Sequence, residues 1–240
     1  MTRAKYKRAI VKISGEEFGA GVDTDNVNYI ATEIEGAVST GARLALVVGG
    51  GNIVRGSELS RLGISRAQAD CAGMIATVIN ALVLQDVLER NGVKAATQSV
   101  LEIRGFVEPY NRRSCKRYMD EGQVVLLAGG TGNPYLTTDS AAAIKALELE
   151  VDVLLKATKV DGVYSSDPFK DPDAKFFDRL NYKQVLDGST KTLFDPAAMT
   201  ICRDNGLPLI VFKLRTRHNI RKVLEGELIG SYIGSDGDTR

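Results

Sequence analysis

Short apolar runs with almost no polar alternation constrain this chain more than any other feature. RLALVV at residues 43–48 is the clearest. A strand of that kind has to be covered on both faces, as strands are in parallel sheets flanked by helices. Similar runs stand at 8–13, 93–97, 123–128 and 151–155, and LPLIVFKL follows at 207–214. Helical patterns separate them. In 24–39, Val27, Ile30, Ala31, Ile34 and Val38 fall at helical spacing. Further helices are predicted at 70–90, 111–121, from Thr138 onward, at 195–205 with Gly206 as the stop, and at 217–225. The alternation predicts an α/β fold: a mostly parallel central sheet sandwiched by helices in three layers. Residues 157–180, rich in Asp, Pro and Gly, read as hairpin and loop. Short β segments close the chain near 228–233, and 234–240 read as a frayed end. No repeat or linker is visible, so 1–240 reads as one domain with two lobes, about 1–150 and about 151–240.

The helix at 70–90 is apolar nearly all round. Ile75, Val78, Ile79 and Leu82 make one face, and Met74, Ala81, Val83 and Leu84 extend it. Such a helix is buried on most sides, which in a chain this size hints at a subunit interface. No apolar run reads as long enough to span a bilayer. The N-terminal MTRAKYKRAIVKIS reads as a first strand rather than a signal peptide. Cys71, Cys115 and Cys202 are scattered and form no CxxC pair, so they read as small buried or half-buried thiols. The formal net charge is +1, which gives no bulk basic field for nucleic acid. A bound anion must therefore be held by local cations.

Four segments fall where ligands bind in open parallel sheets, beyond the carboxyl ends of strands. In KISGE, Lys12 closes a strand and Ser14-Gly15 offer backbone N–H groups, a combination suited to phosphate. In GGGNIVRG, residues 49–56, three glycines allow close backbone approach and Arg55 supplies a planar fork. In GGTGNPYLTTD, residues 129–139, glycines and hydroxyls lead into a helix start, a natural anion site. Thr137 or Thr138 is the N-cap. Asp139 either stabilises the helix dipole, or it orients lysines or sits near Mg²⁺. In KATKVDGVY, residues 156–164, Lys156 again ends a buried strand. Tyr164 either walls a nucleotide base or packs in a hairpin. Together the four describe a cationic cradle for a transferring phosphoryl group.

Several other chemistries are excluded. There is no GxxxxGK[ST] element, no HRD or DFG set, and no GxGxxG opening a first βαβ unit. His218, the single histidine, lies in a late basic stretch and reads as a surface residue without a Ser/His/Asp set around it.

KISGE, GGGNIVRG, DCAGM at 70–74, AGGTGNPYLTTDSAA at 128–142 and LKATKVDGVYSSDP at 155–168 resemble the bacterial uridylate kinases of the amino acid kinase family. The likeness runs from about Lys7 to about Ile229, with the motifs in order and at matching spacing. GTGNP…TTD and KATKVDGV separate that branch from relatives that phosphorylate amino acids. The resemblance implies transfer of the ATP γ-phosphoryl group to UMP, with a UMP lobe at about 1–150 and an ATP lobe at about 151–240. It implies a catalytic set of Lys12, Arg55, Asp139 and Lys156. Lys12, Ile13, Ser14 and Gly15 would hold ATP phosphates, and Gly51 and Arg55 would meet phosphates near the transfer point. Thr158, Tyr164 and Asp167 would line the ATP site. Gly50 would contact UMP and Asp70 its ribose. Thr131, Gly132, Asn133, Pro134, Tyr135, Leu136, Thr137 and Thr138 would wrap UMP, with Thr138 near its phosphate. It further implies Mg²⁺ brought with ATP and no protein-held metal. A cytoplasmic homohexamer activated by GTP and inhibited by UTP is implied as well. After Glu16 the chain reads EFGAGVD, shorter than the usual segment in a region that helps carry the GTP response in relatives.

Three rival readings share some of these features. A relative acting on a carboxylate or carbamate, such as aspartate or acetylglutamate, would share the ATP lobe, but segment 131–138 favours UMP. A non-catalytic nucleotide or oxyanion binder would not need Lys12, Arg55 and Asp139 together. Nucleic-acid binding through Arg112, Arg113, Lys116 and Arg117 is weakened by the near-zero net charge, and that run reads as a solvated helix face.

Overall fold

The computed structural model describes residues 4–188, 190–191 and 194–235. Among these, nine strands form one sheet. Its spatial order is β4 (Glu108–Pro109), β3 (Ala95–Ser99), β5 (Val124–Ala128), β2 (Arg43–Val48), β1 (Arg8–Ile13), β6 (Val153–Thr158), β10 (Leu209–Lys213), β11 (Ser231–Gly234) and β9 (Arg179–Asn181). Every pairing is parallel except β10 with β11. A separate antiparallel pair, β7 (Val163–Tyr164) and β8 (Phe176–Phe177), stands in the loop-rich region.

Strand parity decides which helices cover which face. Ala9, Val11 and Ile13 of β1 pack with α1 (Thr24–Val38), α3 (Arg66–Arg90) and α8 (Asn219–Glu225). Ile10 packs the other way, with α4 (Arg112–Asp120), α5 (Thr138–Glu148) and α7 (Pro196–Asp204). Strand β6 repeats the division, with Leu155 on the first face and Leu154 on the second. The fold is therefore the expected mostly parallel sheet between two helical layers. Lys12 and Lys156 share parity with Ile10 and Leu154, so both side chains emerge on the α5 side.

The structure corrects several boundaries. The long helix starts at Arg66, four residues before the expected 70, because Ser65 caps it through Gln68 N–H at 3.4 Å. A short helix, α2 (Gly56–Arg61), precedes it. Strand β6 continues to Thr158, so Lys156 lies within the strand rather than closing it. The region 157–180 also feeds β9, which joins the main sheet beside α6 (Tyr182–Leu186). The chain end from residue 236 lies outside the described residues.

Helix α3 is long and apolar enough, by length and composition, to cross a membrane, contrary to the sequence reading. Half of it is buried here against the sheet, with Met74, Val78, Ala81 and Leu84 in the interior. Ile75 and Ile79 remain 52% and 43% exposed, so in one copy of the chain the helix is not covered all round.

Candidate active site

Strands β5, β2, β1 and β6 are consecutive neighbours, and each of the four chemical segments follows one of them. The chain builds from β1 toward β2 on one side, then crosses back to β6 on the other. The crevice beyond β1 and β6 is the point where strand order reverses, and open α/β sheets bind ligands there. Lys12 and Lys156 are register partners across that crevice.

Both ammonium groups reach the first turn of α5. Lys12 Nζ lies 2.8 Å from Asp139 Oδ1, and Lys156 Nζ donates to Asp139 Oδ2 at 2.5 Å. All three residues are buried. The dipole and lysine-orienting readings of Asp139 are thus compatible, and the lysine contacts dominate its surroundings. Burial, followed by the nearby Lys12 ammonium, pulls Lys156 down to about 8, against the attraction of Asp139. Burial alone would raise the Asp139 carboxyl. The two ammoniums outweigh it and hold Asp139 below the usual carboxylate range. Two cations fixed by one shared acid are preorganised positive charge, an arrangement that can stabilise a developing anion without reorganising.

These side chains line a cavity of about 360 Å³, within the usual range of small-molecule sites. Ser14, Thr158, Tyr164 and Asp167 line it too, as do Glu16, Glu17 and Lys159, which the sequence reading did not assign to it. Tyr164 packs edge-on to Phe176 at 5.4 Å between centroids, in the hairpin, and it also borders the cavity. The Ile13 side chain belongs to the core on the opposite face.

The three glycines of 49–51 have different jobs. A Cβ on Gly50 would sit 2.6 Å from Gly73 O on α3, and one on Gly49 would sit 2.5 Å from Gly15 N. Gly51 itself has open space where a Cβ would be. Gly50 is thus demanded by packing, and the backbone at Gly51 is the part open to close approach. Gly50→Ala is expected to lose about 1–3 kcal/mol in urea unfolding through overpacking. Gly51→Ala should stay within about 0.5 kcal/mol of the parent chain. Equal losses in the two variants would contradict this division.

Helix α3 fixes both glycine turns. Fully buried Asn80 donates to Gly49 O at 2.7 Å and to Asn52 Oδ1 at 2.7 Å, and Gly129 N–H donates to Thr77 Oγ1 at 2.8 Å. Their only sequence signal was a polar residue within an apolar helix.

The segment 131–137 lies outside the cavity as a mostly exposed loop. Gly130 and Gly132 adopt φ of 61° and 77°, where glycine is favoured. Thr137, not Thr138, caps α5, accepting from Asp139 N–H at 3.1 Å. Its hydroxyl in turn donates to Asp195. Asp195 caps α7 through Ala198 N–H at 2.8 Å and accepts from Ser140 Oγ at 3.2 Å, so it joins α7 to the start of α5. Asp70 accepts from Tyr135 N–H at 2.7 Å and from Arg66 Nε at 2.8 Å. Arg66 and Asp195 were not foreseen, because neither sits in a glycine-rich segment. Arg55 also lies beyond the cavity lining but is tied to it through Glu16, at 2.7 Å.

His218 is exposed, far along the chain from these segments, and its N–H donates to Glu33 at 2.8 Å. On α4, Arg112 and Lys116 are occupied by Glu150 at 2.5 and 2.6 Å, so the expected solvated face is also ion-paired.

The model of the amino acid kinase family matches residues 7–213. The chain belongs to the amino acid kinase family. Its fold superposes on a UMP kinase from Bacillus anthracis with a TM-score of 0.93 at 34% identity, covering 97% of both chains. A UMP kinase from Ureaplasma parvum matches at 0.89 and 32% identity, over 96% of this chain and 100% of that one. A uridylate kinase from Archaeoglobus fulgidus matches at 0.75 and 28% identity, over 94% and 99%. Within the amino acid kinase family, this chain is thus similar over nearly its whole length to phosphotransferases named for UMP.

Proposed function

We propose that this chain is a uridylate kinase that transfers the γ-phosphoryl group of ATP to UMP, giving UDP and ADP. The observation that carries the phosphoryl-transfer chemistry is the buried Lys12–Asp139–Lys156 cluster at the strand-order reversal. The near-complete match to two bacterial UMP kinases supports the acceptor. ATP takes the cavity beyond β1 and β6, with Lys12, Ser14, Gly15, Thr158, Tyr164 and Asp167 around it and Gly51 and Arg55 toward the transfer point. UMP lies toward Gly50, Asp70 and residues 131–138. Residues up to about 150 carry the acceptor side, and those from about 151 carry most of the donor side.

The acceptor phosphate oxygen is already anionic at neutral pH, so no strong general base is needed. The protein's work is positioning and charge neutralisation. Lys12 and Lys156 stabilise the transferring group, and Asp139 holds both in place. Magnesium suits this site as a passenger on the nucleotide. Asp139 is engaged by two lysines, and magnesium usually takes most of its ligands from water and substrate phosphates rather than from a protein cage. The same reading carries a cytoplasmic homohexamer, GTP activation and UTP inhibition. The exposed Ile75 and Ile79 on α3 support an assembly, and light scattering should return a hexamer rather than a monomer.

A coupled ADP-release assay with Mg-ATP tests the acceptor against CMP, dUMP, aspartate and acetylglutamate. Release with UMP should far exceed the others, and release with an amino acid instead would overturn the assignment of 131–138. The rate should also fall as pH rises through about 8, where Lys156 loses its proton. Below that value the group is cationic and active. An alkaline limb only above the ordinary lysine value of about 10.4 would show that its charge is not needed.

A further inference from the structure

Glu16 stands in the turn after β1, and β1 lies between β2 and β6. From there one carboxylate reaches cations on both neighbouring loops. Oε1 accepts from Arg55 Nη2 at 2.7 Å, and Oε2 accepts from Lys159 Nζ at 2.8 Å. Arg55 also donates from Nε to Gly51 O at 3.1 Å, which holds its guanidinium against the glycine turn. The hydrogen bond from Lys159, aided by the charge of Arg55, holds Glu16 below the usual carboxylate range. Glu16 and Lys159 both line the cavity.

An anionic residue at a site for polyphosphate would repel its ligand if it stayed unchanged. Its two bonds are instead made to Lys159, which lines the cavity, and to Arg55, which lies beside it. The geometry points to Glu16 as a displaceable internal anion that holds Arg55 and Lys159 in place and yields them to the phosphate chain of the incoming nucleotide. This rests on the reading that the cavity takes a nucleoside triphosphate. Orthophosphate offers too little charge and reach to displace a carboxylate bridging two loops, whereas a linear polyphosphate can engage both cations at once. Glu16 thereby selects polyphosphate over orthophosphate.

Calorimetric titration of the full chain with tripolyphosphate and with orthophosphate at low salt tests this. Each exposed pair contributes little, so Glu16→Gln should bind tripolyphosphate about 3- to 10-fold more tightly than the parent chain. It should also gain measurable orthophosphate binding. The difference should narrow as added salt screens the carboxylate. Glu16→Ala should repeat the gain, which a merely structural role would turn into a loss. Equal or weaker binding by both variants, a gain confined to Glu16→Gln, or no tripolyphosphate binding by any of the three chains would overturn the proposal. Because the probe carries no nucleoside and no turnover is read, the result is separable from the acceptor assignment. A chain that shows the gain but does not phosphorylate UMP would keep the role of Glu16 and lose the UMP reading.

Discussion

Asp139→Asn is expected to lose about 3–5 kcal/mol of stability at pH 7, because it leaves two buried ammonium groups without their shared counter-ion. The amide keeps nearly the same shape, so the loss is one of charge rather than of packing. Its signature should be a particular pH dependence. Without Asp139, the neutral form of Lys156 is favoured further in the folded chain. The folded state then binds fewer protons than the unfolded one across the range from neutral to the ordinary lysine value of about 10.4. Stability therefore rises with pH across that window, and urea unfolding at pH 7 and pH 9 should show the variant recovering part of its deficit. A midpoint equal to that of the parent chain at pH 7 would remove Asp139 from its role as organiser. Turnover should fall at least about 100-fold, since the lysines lose the geometry that pre-organises their charge.

Lys12→Met should have the opposite profile: near-normal folding with very little turnover. Lys156 keeps its bond to Asp139, and methionine fills most of the space of the lysine stem. Replacing one buried cation of three charged groups leaves a single ion pair, so unfolding midpoints should stay close to those of the parent chain. The rate should fall by about 100- to 1,000-fold, because the proposed role of the Lys12 charge is to act on the transferring group, most strongly in the transition state. The loss should appear in kcat, with KM for UMP little changed. A loss carried by KM alone would make Lys12 a binding group only, and normal turnover would remove it from the chemistry.

Much of this arrangement was legible in the sequence because it is local. The uninterrupted apolar strands pointed to the parallel sheet, and the glycine-rich segments after them fall together at one edge of it. Lys12 and Lys156 were visible as cations near strand ends. Their partnership was not, because it depends on the register of β1 against β6, strands far apart along the chain. The cap at Ser65 was missed because the residues before 70 carry little apolar periodicity. Helix α2 was absorbed into a turn by its leading glycine. Asn80, Asp195 and the Glu16 bridge act across elements, and spacing within a segment carries no signal for such contacts. Arg66 pairs with Asp70 one turn along α3, and a helix expected to start at 70 left it outside. The exposure of Ile75 and Ile79 was equally hidden, because periodicity reports an apolar face but not what covers it.

The measurement to make first follows the phosphorus itself. ATP labelled in its γ-phosphate is mixed with UMP and magnesium, and the labelled product is identified for the parent chain and for Lys12→Met. The expected result is label in the β-phosphate of UDP with the parent chain and almost none with the variant. Label released as orthophosphate, or a variant as active as its parent, would contradict direct transfer to UMP at the Lys12–Asp139–Lys156 site.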